Sequence, residues 1–139
     1  MKIKTSELTG AALDWAVAKC EGHEIDSLMG GAVWYWLKCS LTGALEVVEV
    51  FKPSTDWAQG GPILERERIK VAPNLGGTWH GQIRHTKEHP LSRHPVLSGW
   101  TNQHGPTPLV AALRCYVASK LGAEVDIPDE LVLPGADAA

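Results

Sequence analysis

Phenylalanine is nearly absent from this chain: one in 139 residues, beside two tyrosines. The usual aromatic usage is therefore inverted. Cysteine is scarce as well. Cys20, Cys39 and Cys115 are odd in number and show no C-x-x-C spacing, which argues against a disulfide framework. They read as small buried apolar residues. No apolar run approaches the ~20 residues of a membrane span. The N-terminus, Met1 to Glu7, lacks a signal-peptide core and carries an acid early. Those absences predict a cytoplasmic protein with no membrane partner. The net charge is −3, so the basic excess of a typical nucleic-acid binder is missing too. Nucleic acid is not an expected partner, although a local basic patch fits the numbers. There is no internal repeat, no Walker spacing, no G-x-G-x-x-G and no G-x-S-x-G. No cofactor is expected.

Tryptophan is what the chain has instead. Trp15, Trp34, Trp36, Trp57, Trp79 and Trp100 run through its whole length. An indole joins a large flat apolar face to an N–H donor and is favoured at binding surfaces. Six purely structural indoles would be unusual. The length and an apolar fraction of 44% predict one domain with its own core. The expectation is a single α+β domain over 1–128 and a flexible tail over 129–139.

Thr5 or Ser6 can cap a first helix over about 6–20, which Gly22 stops. Residues 23–31 read as a loop. Residues 32–38 alternate as a strand, and Leu45 to Phe51 reads as its hairpin partner. The charged stretch 63–71 predicts a short helical turn and then a strand ending near Val71. Pro73 to Gly77 is a turn, and 78–84 a strand. From His85 to Gly105 no period is visible, and a loop is expected. The clearest helix starts at Thr107, a good N-cap, with Pro108 at the first helical position. Leu109, Ala112, Leu113, Tyr116, Val117 and Leu121 follow helical spacing, and Gly122 ends it. Residues 124–128 read as a short strand or extended arm. The expected architecture is a small antiparallel sheet with the N-terminal and C-terminal helices packed on one face.

The segment from Pro53 to Pro62 fits neither helix nor strand by its residues. Ser54, Thr55 and Asp56 bond readily to nearby backbone N–H groups. Gly60 and Gly61 invite positive φ and an anion-binding nest. Trp57 offers a stacking face, and Arg66 follows nearby. Together they suit a phosphate-bearing aromatic ligand, although a cap-and-turn joining two elements explains the same residues. Thr107 opens a helix N-terminus, which favours an anion, and Arg114 lies two turns along. Asp14, beside Trp15 on a largely apolar helix, is a candidate buried carboxylate. His80, His85, His89, His94 and His104 fall within 25 residues. Helical spacing would put His85 and His89 on one face for a metal, but Pro90 disfavours a helix there.

Three blocks carry a family resemblance. Lys4 to Ala18, Pro53 to Glu67, and Gly105 to Gly122 together resemble, in order, the NinX-like family of tailed-phage proteins. The resemblance implies a phage or prophage gene expressed in a bacterial cytoplasm, and brings no mechanism with it. Phage accessory proteins of this size often bind a host protein or sequester a host signalling nucleotide.

The leading expectation is non-catalytic binding of a small phosphate- or nucleotide-like ligand. Its residues are Asp14, Trp15, Ser54, Thr55, Asp56, Trp57, Gly60, Gly61, Arg66, Thr107 and Arg114. The alternatives are a module that binds a host protein, and a metal-assisted hydrolase using the histidines of 80–104. A homo-oligomer is compatible with each.

Overall fold

The computed structural model describes residues 1–22, 24–27, 33–38, 45–87, 91 and 95–131. Its elements follow in chain order. They are β1 (Lys2–Lys4), a 3-10 turn (Thr5–Glu7), α1 (Gly10–Glu21), β2 (Glu24–Ser27), β3 (Val33–Lys38) and β4 (Leu45–Phe51). Then come α2 (Trp57–Glu67), β5 (Lys70–Pro73), β6 (Trp79–Lys87), β7 (Val96–Gly105), α3 (Pro108–Leu121), β8 (Glu124–Asp126) and a 3-10 turn (Asp129–Leu131). The fold is α+β. All strand pairs are antiparallel, in sheets ordered β1-β8, β2-β3-β4 and β5-β6-β7.

Helix α3 is the axis of the molecule. Every residue from Leu109 to Val117 is buried, so this is a helix enclosed on all sides rather than one with a single buried face. One side lies on β6 and β7, another on α1, and its flank touches α2. The contact with the sheet is backbone on backbone. A Cβ added to Gly81 would sit 2.6 Å from the Ala111 carbonyl oxygen, and one added to Gly105 would sit 2.7 Å from the Ala111 nitrogen. Glycine at these two sheet positions lets α3 approach closely. At the last turn Leu121 points outward, 41% exposed.

Several expectations are corrected. The first helix starts at Gly10, not near 6, because Thr5 is committed elsewhere. Its hydroxyl donates to the Gly122 carbonyl at 2.6 Å, and its side chain is fully buried. Within the stretch read as a 23–31 loop, Glu24–Ser27 pairs with β3 as a strand. The 85–105 stretch, expected as a loop, contains the end of β6 and all of β7. At the start of the expected tail, Asp129–Leu131 forms a 3-10 turn and Leu131 is buried. The N-terminal ammonium holds this end down through Asp126 at 2.9 Å and the Ile127 carbonyl at 3.0 Å. Residues 132–139 lie outside the description. Among the described residues no helix is long and apolar enough to cross a membrane.

Candidate functional site

The segment that looked irregular is the start of a helix. Asp56 is extended, and its side chain accepts the Ala58 N–H at 2.9 Å, so it is the N-cap of α2. The helix then runs through Gly60, Gly61 and Pro62. Neither Gly60 nor Gly61 has positive φ, which overturns the anion nest. Gly60 serves packing instead. A Cβ there would lie 2.5 Å from the Pro53 carbonyl oxygen and 2.7 Å from Leu109 Cδ2. Gly60 therefore seats α2 against both the preceding turn and the start of α3.

The turn before α2 is tied from several sides. The Lys52 carbonyl accepts from the Thr55 and Asp56 N–H groups at 3.2 and 3.0 Å. Gln59 Oε1 accepts the Lys52 N–H at 2.6 Å. From α1, buried Asp14 accepts the Ser54 N–H at 2.9 Å. Burial pushes the Asp14 carboxyl up to about 6 against this hydrogen bond, which favours the charged form. The buried Ser54 hydroxyl lies near enough to favour that charge as well, yet it makes no hydrogen bond of good geometry. Asp14 therefore fastens the turn from beneath.

Above the turn is an open cleft of about 230 Å³ lined by Ser54, Thr55, Trp57, Thr107, Pro108 and Leu109. Two of the candidate segments, some fifty residues apart in sequence, thus meet. Thr55 is exposed, and Trp57 is 54% exposed. A Cβ added to Gly61 would sit in ordinary contact with the indole, 3.8 Å from Cε3, so the ring lies along the first turn of α2. Across the cleft, Thr107 Oγ1 accepts the Val110 N–H at 3.2 Å as the N-cap of α3. Pro108 has no N–H. The Leu109 N–H is then the first-turn donor without an intrahelical acceptor.

The remaining candidates lie elsewhere. Arg66 is at the far end of α2, in a two-pronged pair with Glu21 at 3.1 and 2.6 Å. Glu21 also accepts the Tyr116 hydroxyl at 2.7 Å. That carboxylate raises the pKa of the Arg66 guanidinium. Burial, aided by the same carboxylate, pushes the Tyr116 phenol far up. Arg114 donates Nε to the Leu8 carbonyl at 2.8 Å and Nη1 to the His104 carbonyl at 2.7 Å. Burial lowers its pKa. It lines a separate groove with Ser6, Thr78 and His104. Trp15 carries the Lys19 ammonium over its ring at 5.3 Å and faces the β8 end. Among the described residues, no guanidinium or ammonium lines the Trp57 cleft.

The histidine reading also changes. His85 lies on strand β6, so the helical spacing with His89 does not apply, and His89 itself is outside the described residues. His80 and His104 stack with centroids 4.9 Å apart, and Asn102 and Asn74 bond to their ring nitrogens. No cluster of three or more metal-ligating side chains occurs among the described residues. Burial pushes the thiols of Cys20 and Cys115 up to about 12, so at neutral pH they are thiols and poor nucleophiles. Cys39 is outside the described residues. Sequence reasoning missed the closing of the cleft by Leu109, whose only signal was its place just behind a proline-started helix N-terminus.

These features define a small α+β domain with an aromatic-walled cleft at the meeting of two helix N-termini. The family model described as Bacteriophage P22, NinX matches residues 4–120. The chain belongs to this phage family. No curated protein matches it.

Proposed function

We propose that this phage protein is a non-catalytic binding module for a small, flat, weakly charged ligand of nucleotide type. The cleft between the 53–57 turn and the start of α3 holds it. A base or nicotinamide-like ring stacks on Trp57, and a single anionic group meets the Leu109 N–H and the positive end of α3. Thr55 and Thr107 offer hydroxyls to the ligand's polar edge.

The observation that carries this reading is the meeting of Trp57 with the Thr107 helix start in one cleft. An indole half exposed leaves on the order of 100 Å² of apolar surface in water, worth about 2 kcal/mol once covered. Size and charge narrow the ligand further. A cleft of about 230 Å³ is smaller than the roughly 300–1,000 Å³ typical of sites for drug-sized molecules. Among the described residues, none that lines it is a cation able to neutralise a polyphosphate. A nucleoside, a cyclic mononucleotide or a mononucleotide fits, and a triphosphate does not. In a phage gene product such binding would sequester a host signalling nucleotide in the bacterial cytoplasm and so blunt a host response.

Tryptophan fluorescence tests it. Titration with nucleosides, mono- and diphosphates, cyclic mononucleotides and nicotinamide mononucleotide is expected to give saturable quenching by at least one small member. Trp57→Ala should weaken that affinity roughly thirtyfold. Silence across the panel would refute the reading.

A further inference from the structure

The modest net charge hides a strong segregation. Residues 68–123 hold seven of the thirteen Lys and Arg and a single acid, Glu88. The other fifteen acids lie outside that stretch. Strands β5, β6 and β7 contain no Asp or Glu at all. This whole sheet is therefore a positive region on an acidic protein.

Its two faces differ. The inner face is pressed against α3 through Gly81, Ile83 and Gly105. Strand alternation puts the neighbours of those residues on the outer face. There Arg84 stands directly opposite Trp100 in the β6–β7 register, and both are exposed, Trp100 by 47%. Two residues further along each strand come Gln82 and Asn102, then His80 and His104. Gln82 Nε2 donates to Asn102 Oδ1 at 2.9 Å, and a ring nitrogen of His80 bonds to the same oxygen at 2.9 Å. The two imidazoles are stacked, 26° from parallel. Exposed Lys70 pairs with Gln82 from β5.

We infer that the outer face of the β5–β6–β7 sheet binds single-stranded nucleic acid. The ingredients are those such a ligand needs. Cations flank the face for phosphates, flat rings at Trp100 and at the histidine pair stack bases, and tethered amides meet base edges. Strand β7 is ten residues long, a track of roughly 33 Å. A duplex would hide its base faces and leave Trp100 idle, which is why the single strand is favoured. This site lies apart from the Trp57 cleft and does not depend on it.

The test is fluorescence anisotropy with a labelled oligo-dT and a mixed-sequence RNA of about twenty nucleotides, at about 50 and about 200 mM salt. Saturable binding to at least one is expected, weaker at the higher salt. Trp100→Ala should weaken it about tenfold or more. The Lys70→Glu, Arg84→Glu double variant should weaken it strongly and flatten its salt dependence. Trp57→Ala should leave it unchanged, which separates this result from the fate of the cleft. All four substitutions fall on exposed positions, so circular dichroism should show the folded spectrum in each variant. No binding of either oligonucleotide at low salt would overturn the inference. So would equal affinity for the duplex, binding indifferent to Trp100→Ala, or a preference for anionic lipid vesicles.

Discussion

At Asp14 burial and charge conflict. Its carboxyl is pushed up to about 6 from an ordinary 3.8, so the folded chain holds the proton more tightly than the unfolded one. That contribution to stability is complete below pH 3.8 and is lost as the pH rises through 6. Over that window it amounts to about 3 kcal/mol. Asp14→Asn keeps an oxygen to accept the Ser54 N–H and removes the charge. The variant should match the wild type near pH 4 and gain on it by pH 7, as read by thermal melting at each pH. A difference between the two that is flat with pH would contradict this. Gly60 makes a second prediction at this scale. A methyl there meets the Pro53 carbonyl and Leu109, so Gly60→Ala should cost about 2 kcal/mol or more. Gly61→Ala, with only an ordinary contact at 3.8 Å, should be neutral or slightly stabilising. Denaturant midpoints of the pair decide it.

At the scale of elements, α2 and β7 explain what the sequence could and could not disclose. Helix α3 was legible from Thr107, Pro108 and the helical spacing of its apolar residues, and the β3–β4 hairpin from alternation in the first strand and the valines of the second. Helix α2 was not. Two glycines and a proline weigh about 5 kcal/mol against a helix, and that propensity reads as a loop. Tertiary packing outweighs it, through the Asp56 cap, buried Ile63 and the close seat at Gly60. Strand β7 lacked a period for a related reason. Its inner positions include Gly99, Thr101, Gln103 and Gly105, which meet the α3 side without a large apolar side chain. The joining of the helices was equally hidden. Glu21 of α1, Arg66 of α2 and Tyr116 of α3 form one network. Tyr116→Phe leaves the shape and removes the bond to Glu21. It should cost about 1–2 kcal/mol, and a double-mutant cycle with Arg66→Ala should show coupling. Additive effects would mean that the three helices are held by packing alone.

For the molecule as a whole, the candidate site was half legible. Thr55, Trp57 and Thr107 do share a cleft, with Ser54 in its wall and Asp14 beneath it. Arg66 and Arg114 do not, because each is drawn into a partner that sequence spacing cannot reveal. Losing both cations narrows the expected small phosphate- or nucleotide-like ligand to a weakly charged ring compound. The most direct test follows the six indole N–H signals by NMR while cyclic mononucleotides, mononucleotides and nicotinamide mononucleotide are added in turn at millimolar concentration. One of them is expected to shift the Trp57 indole and the Leu109 amide together and saturably, leaving Trp15 unmoved. A Trp57 signal indifferent to every compound, or shifts centred on Arg66 or Arg114 instead, would contradict it.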